Sequence, residues 1–149
     1  MFLHLVALVV ALISLSQTRS ESWFVTSSTC IAVLFTTAMD MLNHLLASQV
    51  DHSLVRRLKT YTEPTLLIVD ELGYLSLDQQ TSNLFYQVIS TRHSQKRSTI
   101  ITTNTPFSDW GNILFNTTIA TAIADRLVEN SEIFLLGGDS LRKTSRNSN

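Results

Sequence analysis

The chain has 149 residues, 44% of them hydrophobic and 15% charged, with a formal net charge of -1. That is one domain's worth of chain, long enough for a real core, and the composition excludes a disordered polymer. The small net charge excludes a global basic field for nucleic acid, and a single cysteine, Cys30, excludes an intrachain disulfide framework. Cys30 has no Cys or His at metal-ligand spacing and no base at helical spacing, so it reads as a small apolar filler.

Phe2 to Leu15 is almost continuously apolar, interrupted by His4 and Ser14, before Gln17-Thr18-Arg19-Ser20-Glu21 turns polar. No Lys or Arg precedes the run and no A-x-A-like site follows it, which argues against a secretory signal, and it falls short of the ~20 residues that span a bilayer. A helix apolar on all sides, packed within an α/β core, fits it better; a secreted or membrane-anchored chain is the alternative. His4 then reads as a packed or end-of-helix residue rather than a ligand. Trp23-Phe24-Val25-Thr26 is aromatic and β-branched, hence a strand, with candidate caps at Ser27-Ser28-Thr29 after it. The spacing predicts a helix from about Thr37 to Val50, with Met39, Leu42, Leu45, Leu46 and Gln49 or Val50 on one buried face. Leu54 to Lys59 follows as a basic amphipathic turn or two, whose Arg56, Arg57 and Lys59 form either a solvated face or contacts with phosphate.

Pro64 cannot sit in the middle of a ladder and so leads into a strand, Leu66-Leu67-Ile68-Val69-Asp70-Glu71. Four consecutive branched apolar residues predict burial on both faces, because a half-buried strand would alternate apolar with polar. The two acids then sit at the carboxyl end, the edge where ligands bind in open α/β sheets. Strand alternation points them to opposite sides, which suggests different jobs: Asp70 to hold Mg²⁺, directly or through its waters, and Glu71 to polarise an attacking water. This is the Walker B pattern of P-loop nucleotidases, although a strand that simply runs out into solvent can end the same way.

Ser76 and Gln79 have capping-box spacing, and Leu84, Phe85, Val88 and Ile89 form the inner face of a helix ending near His93. Arg92, His93, Lys96 and Arg97 cluster there, where cations complement the helix dipole. Ser98 to Asn104 is a second β-branched strand, ending in an amide. Beside the acidic strand, Asn104 would orient a water or sense a γ-phosphate without adding charge, while Asn104-Thr105-Pro106 is equally a turn signal. Ser108 is a candidate helix cap and Trp110 a core anchor. Ala120, Ile123, Ala124, Leu127 and Val128 line a helix from about Thr117, with Asp125-Arg126 on its exposed side. Arg126 there either pairs with local acids or reaches a neighbouring subunit's phosphate as an arginine finger. Ile133 to Leu136 reads as the last strand, broken by Gly137-Gly138, and Leu141 to Asn149 as a polar tail. Asn116-Thr117-Thr118 fits the glycosylation pattern and carries little weight without secretion.

The runs LLIVDELGYLSLDQQTSNLFYQVISTRHSQKRSTIITTNTPFSDWG and ATAIADRLVENSEIFLLGGDSLRK resemble the IstB-like ATPases, transposition helpers of insertion sequences related to the DnaC helicase loaders. The resemblance covers about Phe24 to Lys143, including FVTSS, AMDMLNHLLASQ and LVRRLK, and its DELGYL, TTNTPFSDWG and ADRL blocks together are strongly specific. It implies an α/β fold, the three-layer P-loop NTPase of AAA+ type with a mainly parallel sheet, over residues 1–136, followed by a polar tail at 137–149. It also implies ATP and Mg²⁺ as cofactors, a transposase and DNA as partners, a homo-oligomer, a cytoplasmic location and no membrane. By position, Asp70 matches the metal- and nucleotide-binding acid, Glu71 the catalytic acid, Asn104 the sensor residue and Arg126 the arginine finger. Arg142 lies in the closing G-D/E-S-x-R block.

The sequence departs from this family at one decisive point. The phosphate loop G-x-x-x-x-G-K-[ST] is absent, since no lysine precedes Lys59 and no glycine precedes Gly73. Leu3-His4-Leu5-Val6-Ala7 resembles the first turns of the helix that follows that loop, so the chain is expected to be N-terminally truncated just after the loop's lysine. The expected fold therefore lacks the family's first strand, which sits between the sensor strand and the final one, and the N–H cradle for the phosphates. ATP hydrolysis by this chain alone is not expected. The readings at this stage are an ATP-binding transposition helper and, as the alternative, a non-catalytic DNA or protein interaction module.

Overall fold

Burying four branched residues in a row requires a neighbour on every side, and the strand that carries them is flanked accordingly. The computed structural model describes residues 21–26, 31–73 and 76–134. Strand β1 (Glu21–Thr26) pairs antiparallel with β2 (Ile31–Thr37), while β2, β3 (Leu66–Leu72) and β4 (Ser98–Thr103) run parallel, in the sheet order β1-β2-β3-β4. Leu67, Ile68 and Val69 of β3 are fully buried, as the continuous apolar run requires. Helices α1 (Ala38–Val50), α2 (Leu54–Thr62), α3 (Gln79–Ser94), α4 (Trp110–Ile113) and α5 (Thr117–Val128) complete the described chain, with a 3₁₀ turn at Phe107–Asp109. The fold is the mixed α/β arrangement expected.

Side chains alternate across β3, so the strand feeds two clusters. Leu67, Val69 and Leu72 join Leu34, Met41, Leu45, Tyr61, Phe85, Val88, Trp110 and Ile123 in the main core, to which all five helices contribute. Ile68 faces the other way, with Val33 and Phe35, and Leu66 and Ile100 pack against them. No described helix contributes to that second cluster. Among the described residues β4 is the outermost strand, on the side where the resemblance implied a missing neighbour.

Several local expectations are corrected. Strand β2 was not anticipated: Ile31-Ala32-Val33-Leu34-Phe35 is a short continuous apolar run, which periodicity cannot assign to strand or helix. Helix α1 begins where expected, with Thr37 Oγ1 accepting from the Asp40 N–H at 3.1 Å. Its buried face is Ala38, Met41, Leu42, Leu45 and Ser48, rotated from the expected one, and Val50 is 83% exposed. Helix α3 is capped by Asp78, not by a Ser76 box: the carboxylate accepts from the Thr81 N–H at 2.8 Å and from its hydroxyl at 2.6 Å. Those bonds, the hydroxyl's first, hold the Asp78 carboxyl below its ordinary pKa. Ser108 sits in the 3₁₀ turn and caps no helix. Ile133 and Phe134 are exposed and not in a strand, and Leu135 and Leu136 lie outside the described residues. So do Phe2 to Leu15 with His4, Ser27 to Cys30, and the tail with Arg142. No described helix is long and apolar enough to cross a membrane.

Arg92 corrects a physical explanation. Instead of complementing its own helix's dipole, it is 1% exposed and reaches across to the end of α2. Its Nη1 donates to the carbonyls of Tyr61 at 2.9 Å and Pro64 at 3.0 Å, with a longer approach to that of Thr62 at 3.5 Å. Its Nε donates to Thr99 Oγ1 at 2.9 Å, and its Nη2 to the Ser98 carbonyl. Arg97 adds a bond to the Glu63 carbonyl. The carbonyls of Tyr61 and Thr62 at the end of α2, and of Glu63 and Pro64 just past it, are thus covered by two guanidinium groups. Burial, and to a lesser degree the nearby charge of Arg97, lowers the pKa of Arg92 to about 10, so it stays charged at neutral pH.

Candidate functional site at the carboxyl rim

The carboxyl ends of β2, β3 and β4 lie abreast. Thr37 pairs with Asp70 across β2 and β3, while Val69 pairs with Ile101 and Leu72 with Thr103 across β3 and β4. Between those last two pairs, Asp70 and Glu71 together oppose the single residue Thr102. That is a β-bulge, and it sits on the two acids. Glu71 takes the extra residue's strain, with φ of 61°, a left-handed conformation uncommon for a residue with a side chain. The strict alternation expected of the two acids therefore breaks. Asp70 is half-buried and Glu71 is exposed.

The Glu71 N–H freed by the bulge finds a side-chain partner. Thr102 Oγ1 accepts the Glu71 N–H at 3.0 Å and donates to Asp70 Oδ1. Asp70 Oδ2 and both oxygens of Glu71 have no partner among the described residues. Directly after the acids, Gly73 has φ of 112°, where a side chain would be strained. A methyl group built on Gly73 would lie 2.8 Å from Thr105 Oγ1, 3.2 Å from Asn104 Oδ1 and 3.2 Å from Ile113 Cδ1. The missing side chain is thus what lets the turn after β4 close onto the acidic strand.

Asn104 is brought to the same rim as the acids, immediately past the end of β4. Its Oδ1 accepts from the Thr105 hydroxyl at 3.1 Å, leaving the amide N–H groups as the open end of the side chain. The turn itself is pinned. The Thr105 N–H donates to Thr103 Oγ1 at 3.1 Å, and Trp110 Nε1 donates to the Thr105 carbonyl at 3.2 Å. Trp110, 1% exposed and with its ring centre 4.5 Å from that of Phe107 in a tilted pair, is the core anchor expected of it.

Arg126 is elsewhere. Its guanidinium lies 4.9 Å from the centre of the Tyr86 ring and donates to the Ala122 carbonyl at 2.7 Å, on the side where α5 packs against α3. His93 Nε2 and Glu129 Oε2 lie within hydrogen-bond distance, 2.7 Å, between α3 and the end of α5. Of the four predicted site residues, the structure brings Asp70, Glu71 and Asn104 together and leaves Arg126 apart.

Hard carboxylate oxygens suit Mg²⁺, which keeps several waters and takes one or two carboxylates plus substrate phosphates. Asp70 Oδ2 and Glu71 fit that donor set. Among the described residues no three His, Cys, Asp or Glu gather into a cage for a metal on its own. Thr102 was missed from sequence; only the strand register reveals that it stands opposite both acids.

Comparison with known proteins bears on the family and the fold. A family model described as IstB-like ATP binding protein matches residues 25–149. A protein of insertion sequence IS5376 from Geobacillus stearothermophilus, described as ATP-binding, is 40% identical over 108 residues, which cover 72% of this chain and 43% of that protein. Similar proteins of insertion sequence IS232 from Bacillus thuringiensis subsp. berliner and IS21 from Pseudomonas aeruginosa are 40% identical over 103 residues and 34% over 110. These cover 69% and 74% of this chain, and 41% of each relative. The chain thus spans about two fifths of the length of these relatives. Among solved structures, AMPPCP-bound DnaA from Aquifex aeolicus superposes with a TM-score of 0.54 at 14% identity, covering 62% of this chain and 28% of that one. A DNA replication initiation factor superposes with a TM-score of 0.55 at 13% identity, covering 76% and 32%. At such identities the likeness is one of fold.

Proposed function

We propose that this chain, which belongs to the IstB-like ATP-binding protein family, carries the acidic side of an ATP site and serves an ATP-dependent transposition helper acting with a transposase on DNA. The carrying observation is the carboxyl rim, where the bulged Asp70-Glu71 pair and the amide of Asn104 meet around Gly73. In this reading Asp70 would hold Mg²⁺, directly or through its waters, Glu71 would polarise the attacking water, and Asn104 would donate to the γ-phosphate. Bound Mg²⁺ supplies charge neutralisation for the phosphates. Arg126 serves as an arginine finger toward a neighbouring subunit of a homo-oligomer, leaving its rest on Tyr86 to do so. Residues 1–136 belong in this reading to a partial AAA+/P-loop NTPase domain and 137–149 to its polar tail, and the site of action is the cytoplasm.

DNA contact has its own support. Arg56 and Lys59, which have no acidic partner within ion-pair distance among the described residues, line a recess of about 460 Å³ with Ala32, Thr60, Glu63 and Pro64. A solved neighbour, DnaA, is described as bound to single-stranded DNA. Phosphate contacts there predict DNA binding that weakens steeply with salt and does not need nucleotide.

The 149 residues contain no G-x-x-x-x-G-K-[ST] to grip the β- and γ-phosphates, so we propose that this chain alone does not turn over ATP. Phosphate release from purified protein is the test. Turnover that Glu71→Gln abolishes would overturn the statement.

A further inference from the structure

We propose that Thr102 is a positioning residue for the acidic pair, one hydroxyl fixing both the rotamer of Asp70 and the left-handed backbone of Glu71. The inference concerns the site read above as part of an ATP site, but its geometry stands without nucleotide.

A threonine hydroxyl has one proton and two lone pairs. The Glu71 N–H donates to Oγ1 at 3.0 Å, which occupies an acceptor site, and the single proton goes to Asp70 Oδ1. A backbone N–H can only donate, so it takes a lone pair of the hydroxyl and leaves the hydroxyl's proton for the carboxylate. Thr102 is also the one residue of β4 that the bulge sets against two of β3. A bulge leaves an N–H outside the ladder, and here that N–H belongs to Glu71. Its replacement partner is a side chain rather than a carbonyl. The β-branched side chain has few χ1 wells, so its hydroxyl is held where both partners need it.

The consequence is a coupling of the two acids through their neighbour strand. With the hydroxyl present, Glu71 keeps φ of 61° and Asp70 presents only Oδ2 outward. Without it, the Glu71 N–H is orphaned, and the strand regains a ladder bond by letting Glu71 return to an extended conformation, which turns its carboxylate toward the other face. Serine preserves both bonds; valine preserves shape and loses both.

The test is amide hydrogen exchange and carboxyl ¹³C NMR on the full chain as wild type, Thr102→Val and Thr102→Ser. The Glu71 amide is expected to be protected in wild type and in the serine variant. It should exchange about tenfold faster in the valine variant, the scale of one lost hydrogen bond, while Val88 and Ile89 of α3 are unchanged. The Asp70 carboxyl resonance should move in the valine variant and return in the serine variant, a change that a general loss of stability would not confine to one carboxylate. An unprotected Glu71 amide in the wild type would overturn the proposal whether or not ATP binds and whether or not the valine variant folds. So would a valine variant that leaves the Glu71 amide and the Asp70 resonance where they were.

Discussion

The two rims of one parallel sheet have opposite constructions. At the amino rim, Arg92 is 1% exposed and every nitrogen of its guanidinium meets an oxygen, closing the end of α2 onto the starts of β3 and β4. At the carboxyl rim, Glu71 and Gly73 sit at φ of 61° and 112°, and two acids and an amide present atoms that have no partner among the described residues. The first arrangement satisfies polar groups in order to stabilise. The second holds strained backbone and open donors and acceptors, the condition under which a surface can engage a ligand. The contrast separates what holds this domain together from what it offers to a partner.

The sharpest way to break the comparison is at Arg92. Arg92→Met strips the donors from the buried carbonyls of Tyr61 and Pro64 and from the carbonyl of Ser98, and should cost about 4 kcal/mol in urea denaturation. Arg92→Lys should recover part of that, since an ammonium cannot span the same fork. A loss below about 1 kcal/mol for the methionine variant would remove the amino rim's claim to be the stabilising one. Next comes Gly73→Ala, which meets Thr105 Oγ1 at 2.8 Å in a conformation that disfavours any side chain. We expect a cost of about 2 kcal/mol and a displaced Asn104, visible as a shifted side-chain amide resonance.

At Glu71 the comparison predicts smaller changes of stability. Glu71→Gly should change it by no more than about 0.5 kcal/mol, because relief of the left-handed conformation offsets glycine's extra chain entropy. Glu71→Val should cost about 1 to 2 kcal/mol more than glycine, since β-branching is poorly tolerated at positive φ. Equal stability of the two would mean that the strain is not there. The mildest effect is expected from acid. Asp78 has a folded-state pKa below its ordinary 3.8, caused first by the Thr81 hydroxyl and then by its N–H. Its contribution is therefore fully present above about pH 3.8 and lost as pH falls below that value, with Asp78→Asn flattening the slope in an acid titration of helicity.

Much of this was legible in residue order and some was not, for definite reasons. Leu66 to Val69 was legible as a strand because Pro64 before it and the two acids after it confine the apolar run to a strand's length. Asn104 was legible as a rim residue once the second β-branched run was set beside the first. The bulge was not, since glutamate gives no sign of a left-handed backbone; Gly73, two residues on, was the only local signal of a tight approach. Thr102 depends on register, which no single strand carries. Arg92 escaped because its partners are carbonyls roughly 30 residues earlier, and a carbonyl leaves no mark on a sequence. Strand β2 escaped because the five apolar residues from Ile31 to Phe35 suit either period.

The central claim is that the carboxyl rim is where this chain meets Mg-ATP. Amide and side-chain NMR shifts during titration with Mg-AMPPCP would test it most directly. Changes should gather at Asp70, Glu71, Gly73 and the Asn104 amide, and should fade in Asp70→Asn. Changes confined to Arg56 and Lys59, or a rim that stays silent at millimolar nucleotide while the protein remains folded, would contradict the account.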